Sequence, residues 1–474
     1  LGLRRGDRVA VLAPNSHLLL ESHFGVPYAG GVLVALNTRL AVNELAYILE
    51  HSGSRFLLCH STTAELGAQV LASTSAPIRL VVEGREYDDL IDAASPLRAS
   101  VDDELALLAL NYTSGTTGRP KGVMYHHRGA YLQALAMTLH ARLTSDSVYL
   151  WTLPMFHCNG WCFTWAVTAA GGVHVCMPQA DPDLIWALMV EHEVSHLCAA
   201  PTVLVGLVQT QAAQPLGERV WAAVGGAPPS PTLLESCAAL GLDITHLYGL
   251  TETFGPVVIC DWRSDWNDLD DVEQAARRAR QGVGNTVSCP VRVVGPDGTD
   301  VPRDGVALGE VAVRGNNVML GYYQDADATV AAAPDGWFRT GDLAVLHPDG
   351  YLEIRDRAKD VIISGGENIS SVEVEQALVT HPAVLEAAVF PVPDDHWGER
   401  PAALITLKEG AQTTEQELRD HVRGLLAGFK VPDSISFGAL PKTATGKIQK
   451  FRLREDAWAG KSRANSPGDP NVTS

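Results

Sequence analysis

Positive charge is scarce in this chain of 474 residues, which has 36 Lys and Arg residues against 55 Asp and Glu residues and a net charge of −19. This balance disfavours nucleic acids and anionic membrane surfaces as partners, because bulk repulsion opposes both. An anionic substrate must therefore be bound by a local cationic site. The eight cysteines are scattered without a CxxC pair, so we expect reduced, mostly buried thiols and a cytoplasmic protein.

Long apolar runs are also missing. No stretch approaches the length of a transmembrane helix and no signal peptide is visible, so we expect no integral membrane association. The length exceeds what one hydrophobic core usually supports, which predicts at least two domains.

The pattern of apolar residues predicts the fold class. Between residue 8 and about residue 248, runs such as RVAVLA, VLVAL and LALLAL alternate with helical patterns such as ELAYILEH. Strands that are apolar throughout predict parallel sheets with helices on both faces. From about 282 to 346, short strands with turns predict a small antiparallel β-subdomain.

We therefore expect an α/β protein with a large N-terminal domain of doubly wound, mostly parallel sheets plus the small β-subdomain, followed by a small α+β C-terminal domain. The predicted bounds are 1–357 for the first domain, 358–458 for the second and 459–474 for a disordered polar tail.

The segment 112–123, YTSGTTGRPKGV, follows the apolar run LALLAL. Its glycine and hydroxyl residues let successive N–H groups converge on an anion, and Lys121 adds a mobile point charge. Ligands of parallel sheets bind beyond the carboxyl ends of strands, which is where this loop falls. It is not the P-loop pattern GxxxxGK[ST], because Gly122 follows Lys121. Taken alone, the loop predicts a polyphosphate site or an ordinary polar turn.

Five more motifs accompany this loop in a fixed order: YGLTE at 248–252, GEVAVRGNNVMLGYY at 309–323, GWFRTGD at 336–342, DRAKDVIISGGENISSVEVE at 356–375 and PKTATGKIQK at 441–450. Together they resemble the signature motifs of the adenylate-forming superfamily, in its acyl-CoA synthetase branch. The resemblance covers nearly the whole chain. It also implies a further segment before Leu1, so we expect a chain truncated at its N-terminus.

The resemblance implies ATP and Mg²⁺ as ligands. Glu252 and Thr113 are the implied Mg²⁺ ligands, Tyr248 packs on adenine, and Asp342 accepts hydrogen bonds from the ribose hydroxyls. Lys447, His157 and Thr116 are the implied catalytic residues. The implied ATP- and AMP-binding set is Thr113, Ser114, Gly115, Thr116, Thr117, Gly118, Lys121, Gly226, Ala227, Tyr248, Gly249, Thr251, Asp342, Arg357 and Lys447.

The resemblance further implies coenzyme A as a substrate. Lys359 is the implied hinge at which the small domain pivots, and Ser364, Gly365, Gly366 and Glu367 line the implied thiol tunnel. His157, Asn159, Trp161 and Gly225 form the implied acyl pocket. A Trp161 that faces this pocket favours a short, medium or aromatic acid, whereas a Trp161 in the helix core carries no such information.

The segment 192–196, HEVSH, matches the HExxH pattern of zinc proteases. That chemistry needs His192 and His196 on one helical face. A helix is expected to end near Glu193, with a strand after it, so we expect no zinc site here.

We expect an ATP-dependent acid–CoA ligase that forms an acyl-adenylate and then an acyl-CoA, releasing pyrophosphate and AMP. Its partners are a small carboxylic acid, ATP and coenzyme A. A carrier protein as acceptor, an inactive nucleotide-binding remnant and a homo-oligomeric state stay open.

Overall fold

The computed structural model describes residues 1–97, 100–113, 119–226, 229, 231–365, 367–394, 396–443 and 448–459. The chain falls into two compact units. The first unit comprises Leu1–Pro229, Leu233–Val291 and Val313–Phe338, and the second comprises Ser230–Thr232, Arg292–Ala312 and the chain from Arg339 on.

The first sheet of the first unit contains the hairpin that flanks the predicted phosphate loop, the name used below for the segment 112–123. Its strand order is β4-β3-β1-β2-β5-β6. Strands β1 to β5 are parallel and β6 returns antiparallel to β5. The strands are β1 (Arg8–Leu12), β2 (Val32–Ala35), β3 (Ser54–Cys59), β4 (Arg79–Val82), β5 (Leu107–Thr113) and β6 (Lys121–His126).

The second sheet of this unit has the order β13-β12-β11-β10-β9-β7-β8. Strands β7 to β11 are parallel, and β12 and β13 add an antiparallel edge. The strands are β7 (Val148–Trp151), β8 (Val173–Cys176), β9 (His196–Ala199), β10 (Val220–Val224), β11 (Leu242–Leu250), β12 (Gly255–Ile259) and β13 (Val283–Gly284).

Helices cover both faces of these sheets. One core lies between them and includes side chains of β1, β5 and β7 together with helices α5 and α7. Two further cores fill the opposite faces, against α2 and α3 on the first sheet and α8, α9 and α10 on the second. The helices are α1 (His17–Tyr28), α2 (Val42–Ser52), α3 (Ala64–Ala72), α4 (Arg85–Asp92), α5 (His127–His140), α6 (Cys158–Trp161), α7 (Phe163–Ala170), α8 (Pro182–Glu191), α9 (Pro201–Gln209), α10 (Pro231–Ala239), α11 (Asp271–Ala279) and α12 (Ala326–Ala332).

Local sequence signals explain where several helices begin. The Asp181 carboxylate accepts from the N–H of Leu184, and Pro182 occupies the first turn of α8, where its missing N–H costs nothing. Strands β10 and β12 are apolar throughout because both of their faces are buried.

The second unit contains two smaller sheets. A four-stranded sheet has the order β14-β15-β16-β17, and the other sheet has the order β19-β18-β21-β20 with β22 parallel to β21. Its own core packs α13 and α14 against the latter sheet. The elements are β14 (Arg292–Val294), β15 (Gly309–Val313), β16 (Phe338–Leu346), β17 (Leu352–Arg357), β18 (Ile362–Ser364), β19 (Glu367–Ile369), α13 (Ser371–Val379), β20 (Val384–Asp394), β21 (Gly398–Leu407), α14 (Glu415–Leu425), β22 (Ser434–Phe437) and α15 (Lys450–Ala457).

The expected α/β fold class is thus confirmed, with a large, mostly parallel first part and a smaller, mainly antiparallel second part. The domain boundary between 357 and 358 stays a prediction, and most of the predicted tail lies outside the described residues. Among the described residues, no helix is both long and apolar enough to cross a membrane.

Candidate active site

The phosphate loop closes the hairpin between β5 and β6. Thr113, the last residue of β5, pairs directly across the hairpin with Lys121, the first residue of β6. Both therefore flank the loop at one end of the first sheet. The predicted phosphate ligands Ser114, Gly115, Thr116, Thr117 and Gly118 lie outside the described residues.

Lys121 has two partners in the first unit. Its Nζ lies 4.7 Å from the ring centroid of Tyr322, a distance typical of a cation–π contact. The same Nζ lies 3.5 Å from Oδ2 of Asp325, which also caps α12 by accepting from the N–H of Ala328. The Lys121 side chain is 38% exposed, so its ammonium group is accessible to a bound anion.

Glu252 lies in the short turn that follows β11, and its half-buried carboxylate accepts a hydrogen bond at Oε1 from the Tyr322 hydroxyl at 2.9 Å. Within the described part of the chain, Oε2 has no hydrogen-bond donor. Burial, together with the adjacent Glu252, raises the pKa of Tyr322, so its hydroxyl stays protonated and donates. Glu252, Tyr322 and Lys121 thus form one cluster at the exit of the phosphate loop.

Sequence reasoning did not identify Tyr322 as a site residue. It belongs to the motif at 309–323, whose similarity was noted without a role for any of its side chains. The available signal was the pair of tyrosines that follows Gly321. The backbone of this segment pairs with β6, where Val123 and Tyr322 form an antiparallel bridge.

Tyr248 and Gly249 lie at the end of β11, opposite β12. A methyl group at Gly249 would lie 2.0 Å from the carbonyl oxygen of Gly255, so this close approach of two strands requires glycine. Thr251 begins the turn that carries Glu252, and its hydroxyl contacts Sγ of Cys158 at 3.8 Å. The YGLTE motif therefore brings the predicted adenine, phosphate and metal residues to one end of the second sheet.

The implied acyl pocket contains an unusual backbone segment. Cys158, Asn159, Gly160, Trp161 and Cys162 have φ values of +44°, +45°, +60°, +53° and +66°. A run of left-handed residues that are mostly not glycine costs free energy, of the order of 1–2 kcal/mol for each such residue. The surrounding structure must therefore determine this turn.

Buried polar side chains hold Asn159, at the centre of this turn. Burial lowers the pKa of His23 to about 4, so its ring is neutral. Its Nδ1 donates to the carbonyl oxygen of Leu19 at 2.6 Å, which leaves Nε2 to accept from Nδ2 of Asn159 at 3.0 Å. With its amide oriented to satisfy both groups, Asn111 accepts from the N–H of Asn159 and donates to its Oδ1, each at 3.0 Å.

Trp161 is 8% exposed and lies against the backbone of two glycines, Gly225 and Gly255. A methyl group at Gly225 would lie 2.6 Å from Cη2 of its ring, and one at Gly255 would lie 3.1 Å from its Cα. Gly225 follows β10 directly. Trp161 itself belongs to the core between the two sheets, as does the fully buried Phe163.

The other predicted site residues of this region lie in loops that follow strands of the second sheet. His157 is half-buried and precedes the left-handed turn, with its N–H donating to the carbonyl oxygen of Pro154. Gly226 has φ +89°, and no atom of the described residues lies within 4 Å of the position that a side chain would occupy. Ala227 lies outside the described residues.

The second unit holds the predicted ribose residues side by side. Asp342 on β16 and Arg357 on β17 are cross-strand partners, with Nε of Arg357 3.2 Å from Oδ1 of Asp342. The Asp342 side chain is only 5% exposed, and the guanidinium group of Arg357 compensates the negative charge of its buried carboxylate.

The predicted hinge and thiol-tunnel residues also belong to the second unit. Burial, followed by the adjacent Arg357, lowers the pKa of Lys359. Ser364 and Glu367 pair across the hairpin of β18 and β19, and Gly365 turns it with φ +59°. Gly366 and Lys447 lie outside the described residues.

The HExxH segment does not form a metal site. Helix α8 ends at Glu191, and His196 begins β9, where its Nε2 lies 2.9 Å from the carbonyl oxygen of Ala141. In the part of the chain that the structure describes, no three His, Cys, Asp or Glu residues converge on a metal position. His192 thus follows the end of α8 and His196 lies on a strand, so the two histidines do not share a helical face.

Comparison with known proteins identifies the family. The model of the AMP-binding enzyme family matches residues 1–323, and that of the AMP-binding enzyme C-terminal domain matches residues 373–447. A 4-hydroxybutyrate–CoA ligase of Metallosphaera sedula is 44% identical over 98% of this chain and 88% of its own length. A 2-methylpropanoate–CoA ligase of Humulus lupulus is 43% identical over 98% of this chain and 89% of its own.

A solved structure agrees with these relatives. ATP-bound MatB from Rhodopseudomonas palustris matches with a TM-score of 0.86 and 31% identity, over 96% of this chain and 89% of its own. These similarities extend over both units and over every motif described above. The chain therefore belongs to the AMP-binding enzyme family, in its acid–CoA ligase branch.

Proposed function

We propose that this ATP-dependent acid–CoA ligase activates a short carboxylic acid in two half-reactions. In the first, a carboxylate oxygen of the acid attacks the α-phosphorus of ATP, and pyrophosphate leaves with the electron pair of the broken P–O bond. In the second, the thiol of coenzyme A loses its proton and attacks the acyl carbon, and AMP leaves. The products are an acyl-CoA, AMP and pyrophosphate.

The observation that carries this proposal is the cluster of Lys121, Tyr322 and Glu252 at the exit of the phosphate loop. The ring of Tyr322 lies between an ammonium group and a carboxylate. These two groups suit the two components of MgATP, since the ammonium group can bind the anion and the carboxylate the cation. Lys121 binds the polyphosphate, and developing charge is stabilised by donors that are already oriented.

The residues at this cluster fit a magnesium ion, because Mg²⁺ prefers one or two carboxylate oxygens together with substrate phosphates. Glu252 supplies the carboxylate, and Thr113 supplies a hydroxyl at the start of the loop. Bound there, the ion would neutralise part of the charge on the polyphosphate.

The remaining roles follow the family motifs. Tyr248, Gly249 and Gly226, with Ala227, line the adenine side, and Thr251 lies at the phosphates. Asp342 and Arg357 bind the ribose, and their pairing in the second unit supports this assignment. Lys447, with His157 and Thr116, stabilises the charge that develops on the α-phosphate and the acid carboxylate.

We assign the acyl pocket to His157, Asn159, Trp161 and Gly225. The bulk of the Trp161 ring against Gly225 limits the depth of this pocket. The two relatives named above are ligases for 4-hydroxybutyrate and 2-methylpropanoate, both four-carbon acids. These chain lengths, together with the Trp161 ring against Gly225, support acids of about two to five carbons as substrates, branched or hydroxylated ones included.

Coenzyme A is the proposed acceptor, with Ser364, Gly365, Gly366 and Glu367 lining the thiol path and Lys359 as the pivot. The cytoplasm is the proposed location.

The test is isotope exchange between pyrophosphate and ATP across straight-chain acids of two to eight carbons, with 2-methylpropanoate and 4-hydroxybutyrate added. We expect acid-dependent exchange with a maximum near four carbons and release of AMP only when coenzyme A is present. Exchange with no acid would refute the ligase assignment, and a maximum at eight carbons would refute the short pocket. AMP release with a phosphopantetheinylated carrier protein but not with coenzyme A would change the acceptor.

A further inference from the structure

Tyr322 contacts both charged groups of the proposed MgATP site. Its hydroxyl donates to Oε1 of Glu252 at 2.9 Å, and its ring lies 4.7 Å from Nζ of Lys121. The three residues come from separate parts of the chain: the segment before α12, the turn after β11 and the start of β6. Tyr322 therefore contacts residues that lie up to about two hundred positions before it in the sequence.

The backbone around Tyr322 fixes its place. Tyr322 bridges to Val123 of β6, and its N–H donates to the hydroxyl of Thr329 at 2.9 Å. Three residues earlier, the N–H of Met319 donates to the carbonyl oxygen of Glu252 at 2.8 Å. The same short segment is thus hydrogen-bonded both to the strand of the lysine and to the turn of the glutamate.

This geometry constrains the carboxylate of Glu252 in a useful way. A hydroxyl donor on Oε1 fixes the rotation of the carboxylate and occupies one of its two oxygens. Oε2, which has no donor within the described part of the chain, is then presented at a set position. A carboxylate that is oriented in advance loses less conformational freedom when it ligates a cation.

The ring of Tyr322 has a second role, on Lys121. Between the ring face and the Asp325 carboxylate, the ammonium group is held near the end of the hairpin, although the side chain stays partly exposed. Because a lysine side chain loses rotamer freedom when its ammonium group is fixed, this restriction in advance lowers the entropic cost of binding a phosphate.

We propose that Tyr322 is a positioning residue for adenylation, which orients Glu252 towards the divalent cation of MgATP through its hydroxyl and holds Lys121 through its ring. The inference rests on the proposed function, because it takes Glu252 as the cation ligand. It predicts that the hydroxyl governs the dependence on the cation, whereas the ring governs the affinity for the polyphosphate.

The experiment compares Tyr322→Phe and Tyr322→Leu with a matched control, Tyr323→Phe. Tyr323 is the next residue, and its ring lies beside His51 at 5.9 Å. ATP binding is measured by calorimetry in EDTA and across a magnesium series, and Mn²⁺ binding in the presence of ATP is measured by electron paramagnetic resonance. Thermal unfolding of each variant reports its folding.

In Tyr322→Phe we expect Mg²⁺ and Mn²⁺ to raise the affinity for ATP about tenfold less than in the wild type, because a hydrogen bond to a charged group is lost. Its ATP affinity in EDTA should equal that of the wild type. Tyr322→Leu should in addition lose about threefold in ATP affinity in EDTA. Tyr323→Phe should change neither quantity.

A cation dependence of Tyr322→Phe equal to that of Tyr323→Phe would overturn the inference. Glu252→Gln separates this failure from that of the proposed function. If Glu252→Gln leaves the cation dependence unchanged, the assignment of the metal ligand is wrong. If Glu252→Gln weakens it and Tyr322→Phe does not, only the role of Tyr322 is wrong. Should Tyr322→Leu not fold, Tyr322→Phe, which keeps the ring, decides the question.

Discussion

Trp161 illustrates how a single side chain is placed by many others. Its ring lies against Gly225, and its backbone is part of the left-handed turn from Cys158 to Cys162. That turn is held at Asn159 by His23 and Asn111, which lie 136 and 48 positions earlier in the chain. The motif predicted Trp161 as a candidate. Its orientation depends on these long-range hydrogen bonds, which sequence spacing does not reveal.

Replacement of Trp161 tests its role at this scale. Trp161→Gly should move the preferred acid from about four carbons to six or more, and raise kcat/KM for hexanoate over butyrate at least tenfold, since each added methylene in an apolar pocket contributes about 1 kcal/mol. Competing acids of two to eight carbons in one reaction, with the acyl-CoA products separated by mass, give the measurement.

Trp165→Phe is the matched control, because Trp165 lies in the same region but bonds through its indole N–H to the carbonyl oxygen of His23. An unchanged preference for butyrate in Trp161→Gly would remove Trp161 from the acyl pocket. An equal shift in Trp165→Phe would show that the turn, and not the ring of Trp161, sets the preference.

Among the elements, α15 connects the catalytic motif to the predicted hinge. This helix begins at Lys450, three positions after Lys447. Nζ of Lys450 lies 2.7 Å from Oε1 of Glu375 and donates to the hydroxyl of Ser371 on α13. One turn later, Arg454 binds the Asp360 carboxylate and the carbonyl oxygen of Lys359, both at 2.8 Å.

These contacts, all within the second unit, tie the helix that follows the proposed catalytic lysine to the residues of the predicted hinge. A movement at Lys359 would therefore carry α15 with it. Except for α15, whose sequence KFRLREDA has no apolar periodicity, the α+β character of this region could be predicted from the sequence. The ion pairs could not, because the sequence places Glu375 and Lys450 on separate helices 75 positions apart.

Removal of the lysine from this cluster should destabilise the protein. Glu375 already has a pKa raised to about 7 by burial, and Lys450→Met would leave it and the nearby Asp356 without their cation. With side chains 15% and 16% exposed, the pair lies between an exposed and a buried one, so we expect a loss of about 2 kcal/mol in the free energy of unfolding. Urea denaturation of the second unit's transition gives the measurement.

Arg423→Met provides the control, since Arg423 pairs with Asp420 on the surface of α14 with side chains 52% and 57% exposed. It should change the free energy of unfolding by less than about 0.5 kcal/mol. Equal losses in the two variants would show that the Lys450 cluster contributes no more than a surface ion pair.

At the scale of the whole molecule, each of the two units contains predicted site residues. Lys121, Glu252 and Tyr248 belong to the first, and Asp342 and Lys359 belong to the second. The sequence motifs identified these residues because each motif is a continuous segment. They did not identify Tyr322, His23 or Asn111, because each of these acts on a residue from a distant segment, and such contacts exist only in the folded chain.

In the proposed first half-reaction, the acid attacks the α-phosphorus of ATP. The direct measurement is the fate of ¹⁸O from a labelled short acid, such as butyrate with both carboxylate oxygens labelled, in a reaction with ATP and coenzyme A followed by mass spectrometry of the nucleotide. One labelled oxygen in AMP and one in the thioester are predicted, because the acid oxygen stays on the phosphorus when the thiol displaces AMP. Label in inorganic phosphate, with ADP as the nucleotide product, would contradict the account.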